Sequence, residues 1–185
     1  LVSYHEHNHV TAGQAVLNRL LAGESCALVT DAGTPAISDP GEDLVRLCVE
    51  NGVEVRAIPG CCAAVNALAI SGLPTGRFTF EGFLTVNKKS RREHLDSLKD
   101  ETRTMIFHEA PHKLRTTLND LTEAFGPDRR ISLCREITKL HEEVIRCTLA
   151  EAVAYYEENS PKGEYVLVVA GAAPKTGAAV TLEDG

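Results

Sequence analysis

Asp31 is the residue whose place in the sequence points most directly to chemistry. It follows the apolar run Cys26–Thr30, which predicts a buried strand, and it opens the glycine- and proline-containing loop 31–41. In open α/β sheets, ligands bind beyond the carboxyl ends of strands, so this carboxylate is a candidate ligand contact. Capping of the next helix is the alternative. The loop matches neither the dinucleotide nor the Walker phosphate fingerprint, so the residues alone do not name the ligand.

A second candidate loop begins at Pro59-Gly60, after the predicted strand Val53–Ile58. The helix predicted to start near Ala63 would present free backbone amides at this loop, as helix N-termini at ligand sites do. The neighbouring thiols of Cys61 and Cys62 suggest a nucleophile. Because a catalytic thiol would also require an activating partner, we do not assign one.

Two further strand ends carry charged residues. Glu109 follows the apolar strand predicted at 103–107, and it either contacts a ligand or caps the helix predicted from Pro111. The predicted strand at 130–135 is followed by charged residues that could face the same cleft, namely Arg135, Glu136 and Lys139.

The strongest local positive charge lies at Lys88, Lys89, Arg91 and Arg92, which crowd into five positions. Such a run either binds a phosphate backbone or forms the solvated start of a helix. The chain as a whole has a net charge of −7, which argues against a protein that coats nucleic acid.

Histidines and cysteines are the residues of this chain that would most readily bind a metal. His5, His7 and His9 alternate and would share one face of an extended segment, as metal ligands on a strand do. Surface or interface histidines are the simpler interpretation, and we predict no metal. The six cysteines include no Cys-x-x-Cys spacing, so we expect reduced thiols rather than a zinc site or disulfides.

The elements that would position these residues alternate between strand and helix in the first part of the chain, which is typical of a parallel α/β sheet. Segment 71–76 contains two glycines and a proline and predicts a domain boundary. The later part has more strands per helix, so we expect a mixed sheet there. We therefore predict α/β domains over 1–73 and 77–171, with a tail over 172–185.

Hydropathy gives no sign of a membrane protein. No apolar run approaches the roughly 18 residues of a membrane-spanning helix, and no basic and apolar leader opens the chain. The expected location is therefore the cytoplasm, without a membrane partner.

Six segments, in this order, resemble motifs of the tetrapyrrole methylase superfamily, and in particular of its bacterial ribosomal RNA cytidine 2′-O-methyltransferase branch. The resemblance covers about residues 1–171 and rests on segments 31–41, 58–74, 80–84, 107–114, 135–139 and 162–164. It implies a two-domain tetrapyrrole-methylase-like fold, with S-adenosylmethionine bound in the interdomain cleft. The chain has Thr30-Asp31-Ala32 where the superfamily has Gly-Asp-Pro, which fits the ribosomal branch.

The resemblance also implies which residues bind the cofactor and the substrate. The acceptor would be the ribose 2′-hydroxyl of a decoding-region cytidine in 16S ribosomal RNA of the small subunit, and the superfamily commonly forms homodimers. The implied cofactor contacts are Asp31, Gly33, Thr34, Gly60, Cys62, Ala63 and Glu109. The expected contacts to RNA are Lys88, Lys89, Arg91, Arg92, Arg135 and Lys139.

A ribose hydroxyl is a very weak acid, so a general base would help methyl transfer. Glu109 and Glu136 are the candidates, and positioning of the hydroxyl in line with the methyl group is the alternative.

Two other functions remain open. One is a tetrapyrrole C-methyltransferase, whose polyanionic macrocycle would also suit an arginine cluster. The other is a module that binds the cofactor or the ribosome without catalysis. The family's amino-terminal Pro-Ile-Gly-Asn-Leu loop and its helical carboxyl-terminal extension are not found in the sequence. We therefore expect a first domain without its first strands, and little methylation by residues 1–185 alone.

Overall fold

The computed structural model describes residues 1–173, and the chain divides into two compact units, residues 1–63 and the residues from Ala64 onward. Most of the predicted tail, from residue 174 on, lies outside the described residues. No helix in the described part of the chain is long and apolar enough to cross a membrane.

The first unit contains two helices, α1 (His9–Leu21) and α2 (Glu42–Glu50). Their apolar faces meet at Val16, Leu44 and Cys48, because apolar residues recur at helical spacing along both helices. Helix α1 ends two residues before Gly23, which has a φ of +93°.

The two strands predicted in the first unit are not formed. Segments 26–30 and 53–58 belong to neither strand nor helix, and Val29 and Ile58 are 75% and 86% exposed. A strand is held by hydrogen bonds to a neighbouring strand. The described residues of this unit form no strand that could serve as that neighbour. The apolar runs that favoured strands are therefore left largely in contact with solvent.

The second unit alternates helices and strands around one sheet. Its helices are α3 (Ala63–Ile70), α4 (Lys88–Ser97), α5 (Leu114–Phe125) and α6 (Leu149–Glu158). Its strands are β1 (Phe78–Phe83), β2 (Thr104–Glu109), β3 (Arg130–Arg135), β4 (Glu143–Thr148) and β5 (Tyr165–Val169).

The sheet is mixed, as the sequence predicts, with strand order β1-β2-β5-β3-β4. Strands β1 and β2 are parallel, whereas β5 is antiparallel to both β2 and β3, and β3 is antiparallel to β4. The register of β1 against β2 shifts between Phe80 and Gly82, which marks a bulge in this edge strand.

The core of the second unit lies between the sheet and the helices α5 and α6. Alternate residues of β2, β3 and β5 point to this side because the side-chain period of a strand is two. The fully buried members include Met105, Phe107, Leu114, Leu118, Leu121, Leu133, Leu149, Leu167 and Val169.

Helix α3 is tied to the second unit, although the sequence analysis placed the domain boundary after it. The Cys134 thiol on β3 donates to the Ala67 carbonyl at 3.9 Å, and Arg146 Nε on β4 donates to the Ser71 carbonyl at 3.2 Å. Because of such contacts, α3 packs with the second unit, which begins at Ala64.

Candidate functional site

The two candidate loops of the first unit touch each other. The Thr34 hydroxyl donates a hydrogen bond to the Cys61 carbonyl at 2.9 Å. Gly33 has a φ of +78°, and a side chain placed there would come within 3.6 Å of the same carbonyl. The structure therefore brings loop 31–41 and loop 59–62 together, through the backbone of Cys61 rather than through Cys62.

Loop 31–41 has an unusual backbone. Ala36 and Ser38 have φ values of 68° and 60°, in the left-handed region that residues with a side chain rarely adopt. Gly41 has a φ of 141°, and a Cβ there would lie 2.5 Å from the Leu28 side chain. Each such non-glycine residue costs about 1–3 kcal/mol and persists only where its surroundings hold it. The loop therefore has a defined shape that can position ligand groups.

The other residues of the first unit that are predicted to bind the cofactor lie close in sequence to Thr34 and Cys61. Asp31 and Gly60 are exposed, Cys62 is half-buried, and Ala63 is the first residue of α3. The Asp31 carboxylate is thus open to a solute, which a ligand contact requires.

Glu109 is buried at the end of β2, and both of its carboxylate oxygens accept hydrogen bonds. Oε1 accepts from the Ala110 amide at 2.8 Å, and Oε2 accepts from the Thr117 hydroxyl on α5. The carboxylate therefore links the end of β2 to α5. It does not cap that helix, which begins at Leu114 rather than at Pro111 and whose N-cap residue Lys113 forms no side-chain cap hydrogen bond. No sequence signal points to Thr117, because its part in this link depends on how α5 packs.

The prediction that Arg91 contacts RNA has to be corrected, because its side chain is buried. Its side chain is 10% exposed, and its Nε donates to Asp120 Oδ2 at 2.5 Å while its Nη2 donates to the Thr117 hydroxyl at 2.7 Å. The guanidinium is therefore committed to α5. The reason is the helical period, which turns Arg91 towards the core while its neighbours face solvent.

The other three residues of the basic run are exposed on α4. Arg92 pairs with Glu123 on α5, with both side chains 68% exposed, and Lys89 lies 3.9 Å from Glu93. The Asn87 side chain caps the helix by accepting from the amides of Lys89 and Ser90. Lys88, Lys89 and Arg92 remain accessible to a polyanion.

Glu136 lies in a tight cluster with Lys139 and the segment before β5. Its Oε1 accepts from Lys139 Nζ and from the Glu164 amide, both at 2.9 Å. Lys139 Nζ also donates to Glu164 Oε2 at 2.7 Å. These hydrogen bonds, that of Lys139 first, hold the pKa of Glu136 below its usual value. Both the bonding and the pKa are unfavourable for a general base.

Arg135 pairs across the sheet with Glu143, at 2.9 Å from its Nη1. Its Nε is buried and has no hydrogen-bond partner among the described residues. Arg135, Glu136 and Lys139 thus form ion pairs near the end of β3, and that they face one cleft with Glu109 stays a prediction.

The histidine and cysteine residues form separate local contacts. His5 and His7 pack edge to face with ring centroids 6.0 Å apart, whereas His9 pairs with Asp43. No group of three histidine, cysteine, aspartate or glutamate residues within 1–173 could hold a metal ion. All six cysteines are free thiols.

Comparison with known proteins gives two kinds of match. The family model of the Tetrapyrrole (Corrin/Porphyrin) Methylases matches residues 2–153. The chain is 51% identical over 174 residues to the ribosomal RNA small subunit methyltransferase I of Synechocystis, covering 94% of this chain and 62% of that protein. The protein of the same name from Thermotoga maritima is 43% identical, covering 92% of this chain and 76% of that one.

The chain spans about three-fifths of the first of these relatives. Among solved structures, the methyltransferase CobJ superposes with a TM-score of 0.65 at 22% identity, covering 89% of this chain and 72% of CobJ. At that identity the likeness establishes the fold alone, and it agrees with the fold class predicted from the sequence.

Proposed function

Because this chain belongs to the tetrapyrrole methylase family and, within it, to the group of ribosomal RNA small subunit methyltransferase I proteins, we propose that it serves the same reaction. That reaction is the transfer of a methyl group from S-adenosylmethionine to the 2′-hydroxyl of a cytidine ribose in small-subunit ribosomal RNA. The substrate is then 16S ribosomal RNA within the small subunit.

The observation that carries this proposal is the 51% identity to the Synechocystis protein over 94% of the chain. A tetrapyrrole C-methyltransferase is the less favoured alternative, because the similarity to CobJ is 22% and extends to the fold alone.

The loops of the first unit have the groups that S-adenosylmethionine needs. Its amino group and sulfonium are cationic, and the exposed Asp31 carboxylate is a suitable counter-ion. The missing side chain at Gly33 keeps open the space against the Cys61 carbonyl, and the Thr34 hydrogen bond holds the two loops at this separation. We propose that Gly60, Cys62 and Ala63 line the same site from the second loop.

When bound, S-adenosylmethionine supplies an electrophilic methyl group. The chain would contribute by holding the donor and the ribose in line. Glu109 and Glu136 both accept two or more hydrogen bonds from the protein, which favours positioning roles for them over proton abstraction.

A ribosomal substrate would place the protein in the cytoplasm. The homodimer implied by the family resemblance stays a prediction, and light scattering after gel filtration measures it directly.

Calorimetric titration with S-adenosylmethionine tests the donor site. We expect Asp31→Ala to weaken binding about tenfold to a hundredfold, since a charge-assisted hydrogen bond contributes roughly 1.5–3 kcal/mol. Thr34→Val should weaken binding by roughly twofold to tenfold, since its neutral hydrogen bond between the loops contributes about 0.5–1.5 kcal/mol. Glu54→Ala is the matched control, because this carboxylate is exposed in the same unit and pairs only at the surface with Arg56.

If both variants bind S-adenosylmethionine with wild-type affinity, loop 31–41 does not form the donor site. Mapping of ribose methylation in 16S ribosomal RNA from cells lacking the gene tests the reaction itself. A methylation pattern identical to that of the parent cells would contradict the proposed substrate.

A further inference from the structure

Helices α4 and α5 border a groove of about 1010 Å³ that lies wholly within the second unit. Its lining contains six lysine and arginine side chains and three carboxylates. The groove includes the exposed basic residues of α4, and it adds Lys99 and Lys113, which the sequence analysis did not associate with them.

Each of the three carboxylates already has a cation beside it. Asp120 pairs with Arg91, Glu123 pairs with Arg92, and Asp96 lies 2.6 Å from Lys99 Nζ. The surplus positive charge of the groove therefore comes from three lysines, which are Lys88, Lys89 and Lys113. Lys89 has only a distant and exposed neighbour in Glu93, and water and salt screen such a pair.

The buried Arg91 gives the groove its shape. It reaches from α4 to Thr117 and Asp120 on α5 and fixes the spacing of the two helices. The lysines that line the groove are therefore held at a fixed spacing, which lowers the entropy lost when an extended anion binds.

We propose that this groove binds the sugar-phosphate backbone of RNA, with Lys88, Lys89 and Lys113 as its phosphate contacts. The inference rests on the proposed function, because RNA is the polyanion which that function requires. Lys88 and Lys89 are the first two residues of α4, and successive side chains diverge by about 100° around a helix, so the two cations can engage separate phosphates of one strand. Lys113 extends the contact surface to the residue before α5.

The test measures binding of a fluorescein-labelled single-stranded RNA of mixed sequence as a function of salt concentration. For single strands, the slope of log affinity against log salt is about −0.7 per phosphate contact. In the triple variant Lys88→Ala, Lys89→Ala, Lys113→Ala we expect the slope to become shallower by about 2, because about 0.7 is lost for each of three contacts. Affinity for S-adenosylmethionine and the melting temperature should stay at wild-type values.

The matched control is Arg46→Ala, Arg56→Ala, Lys162→Ala, which removes the same charge at exposed positions outside the groove. This control should retain the wild-type slope. An equal loss in the control would attribute the effect to net charge and overturn the groove assignment.

The groove and the proposed function can fail separately. A triple variant with the wild-type slope overturns the groove while RNA and donor binding still support the function. Wild-type protein that binds S-adenosylmethionine but no RNA overturns the groove and the RNA substrate together, and leaves only the donor site.

Discussion

At the residue scale, the contact between Gly163 and Glu136 shows how closely two chain segments approach at the end of β3. Glu136 has a φ of 49°, and its side chain fills the space where Gly163 would otherwise carry a Cβ. A Cβ at Gly163 would lie 2.5 Å from Glu136 Cγ, and the φ of Gly163 is +76°. Both the backbone conformation and the close approach therefore favour glycine here.

We expect Gly163→Ala to destabilise the second unit by about 2–5 kcal/mol. The left-handed backbone contributes about 1–2 kcal/mol of this cost, and the overlap with Glu136 contributes about 1–3 kcal/mol. The measurement is urea unfolding followed by circular dichroism. Gly72→Ala is the matched control, because Gly72 has a φ of +77° and its nearest neighbour would be at an ordinary 3.7 Å.

Gly72→Ala should therefore show the backbone cost alone. Combining Gly163→Ala with Glu136→Ala should recover part of the loss, because the overlapping side chain is then truncated. Equal destabilisation by Gly163→Ala and Gly72→Ala would show that Glu136 moves aside at no cost.

At the element scale, two neighbouring arginines join α4 to α5 in different environments. Arg91 is largely buried and bonded to both Asp120 and Thr117, whereas Arg92 and Glu123 are each 68% exposed. Removing one partner of a buried pair leaves the other without compensation, while exposed pairs contribute little.

We predict that Arg91→Ala lowers the free energy of unfolding by about 2–4 kcal/mol and that Arg92→Ala lowers it by less than about 1 kcal/mol. Thermal and urea unfolding of the two variants, measured side by side, provide the comparison. Similar losses in both would mean that the Arg91 contacts do not anchor α4.

At the scale of the whole molecule, ion pairs make stability depend on pH. Glu101 accepts from Arg103 Nε at 2.9 Å and from the Arg103 amide at 2.8 Å, and the side-chain bond to Arg103 is the main reason that its pKa falls to about 2. A carboxylate with a lowered pKa in the folded state stabilises the fold above its unfolded pKa of 4.5. That contribution is lost as the pH falls from 4.5 towards 2.

We therefore expect Glu101→Gln to destabilise the protein near neutral pH and the difference from wild type to shrink as the pH falls below 4.5. Because the Arg103 side chain is 41% exposed, solvent screens the pair, and the expected difference at pH 7 is about 1 kcal/mol. Urea unfolding at a series of pH values measures it. A difference that stays constant from pH 7 to pH 3 would contradict the assignment.

The sequence by itself determined the local structure of the second unit and the identity of the family. The strand predicted at 130–135 is observed with the same bounds as β3, because apolar residues at strand period define it locally. A threonine followed three residues later by a glutamate is a local signal of the same kind, and Thr148 and Glu151 form a capping box at the start of α6. Motif order along the chain was sufficient to identify the family and with it the loops 31–41 and 59–62.

The tertiary structure decided everything that depends on residues distant in sequence. Segments 26–30 and 53–58 have the composition of strands but no strand beside them among the described residues, and strand formation needs that partner. Arg91 and Arg92 are indistinguishable as charges in the sequence, yet packing of α4 on α5 buries one and exposes the other. Lys113 lies in one groove with Lys88 and Lys89 for the same reason, since packing of the helices brings residues that are 24 and 25 positions apart to one surface.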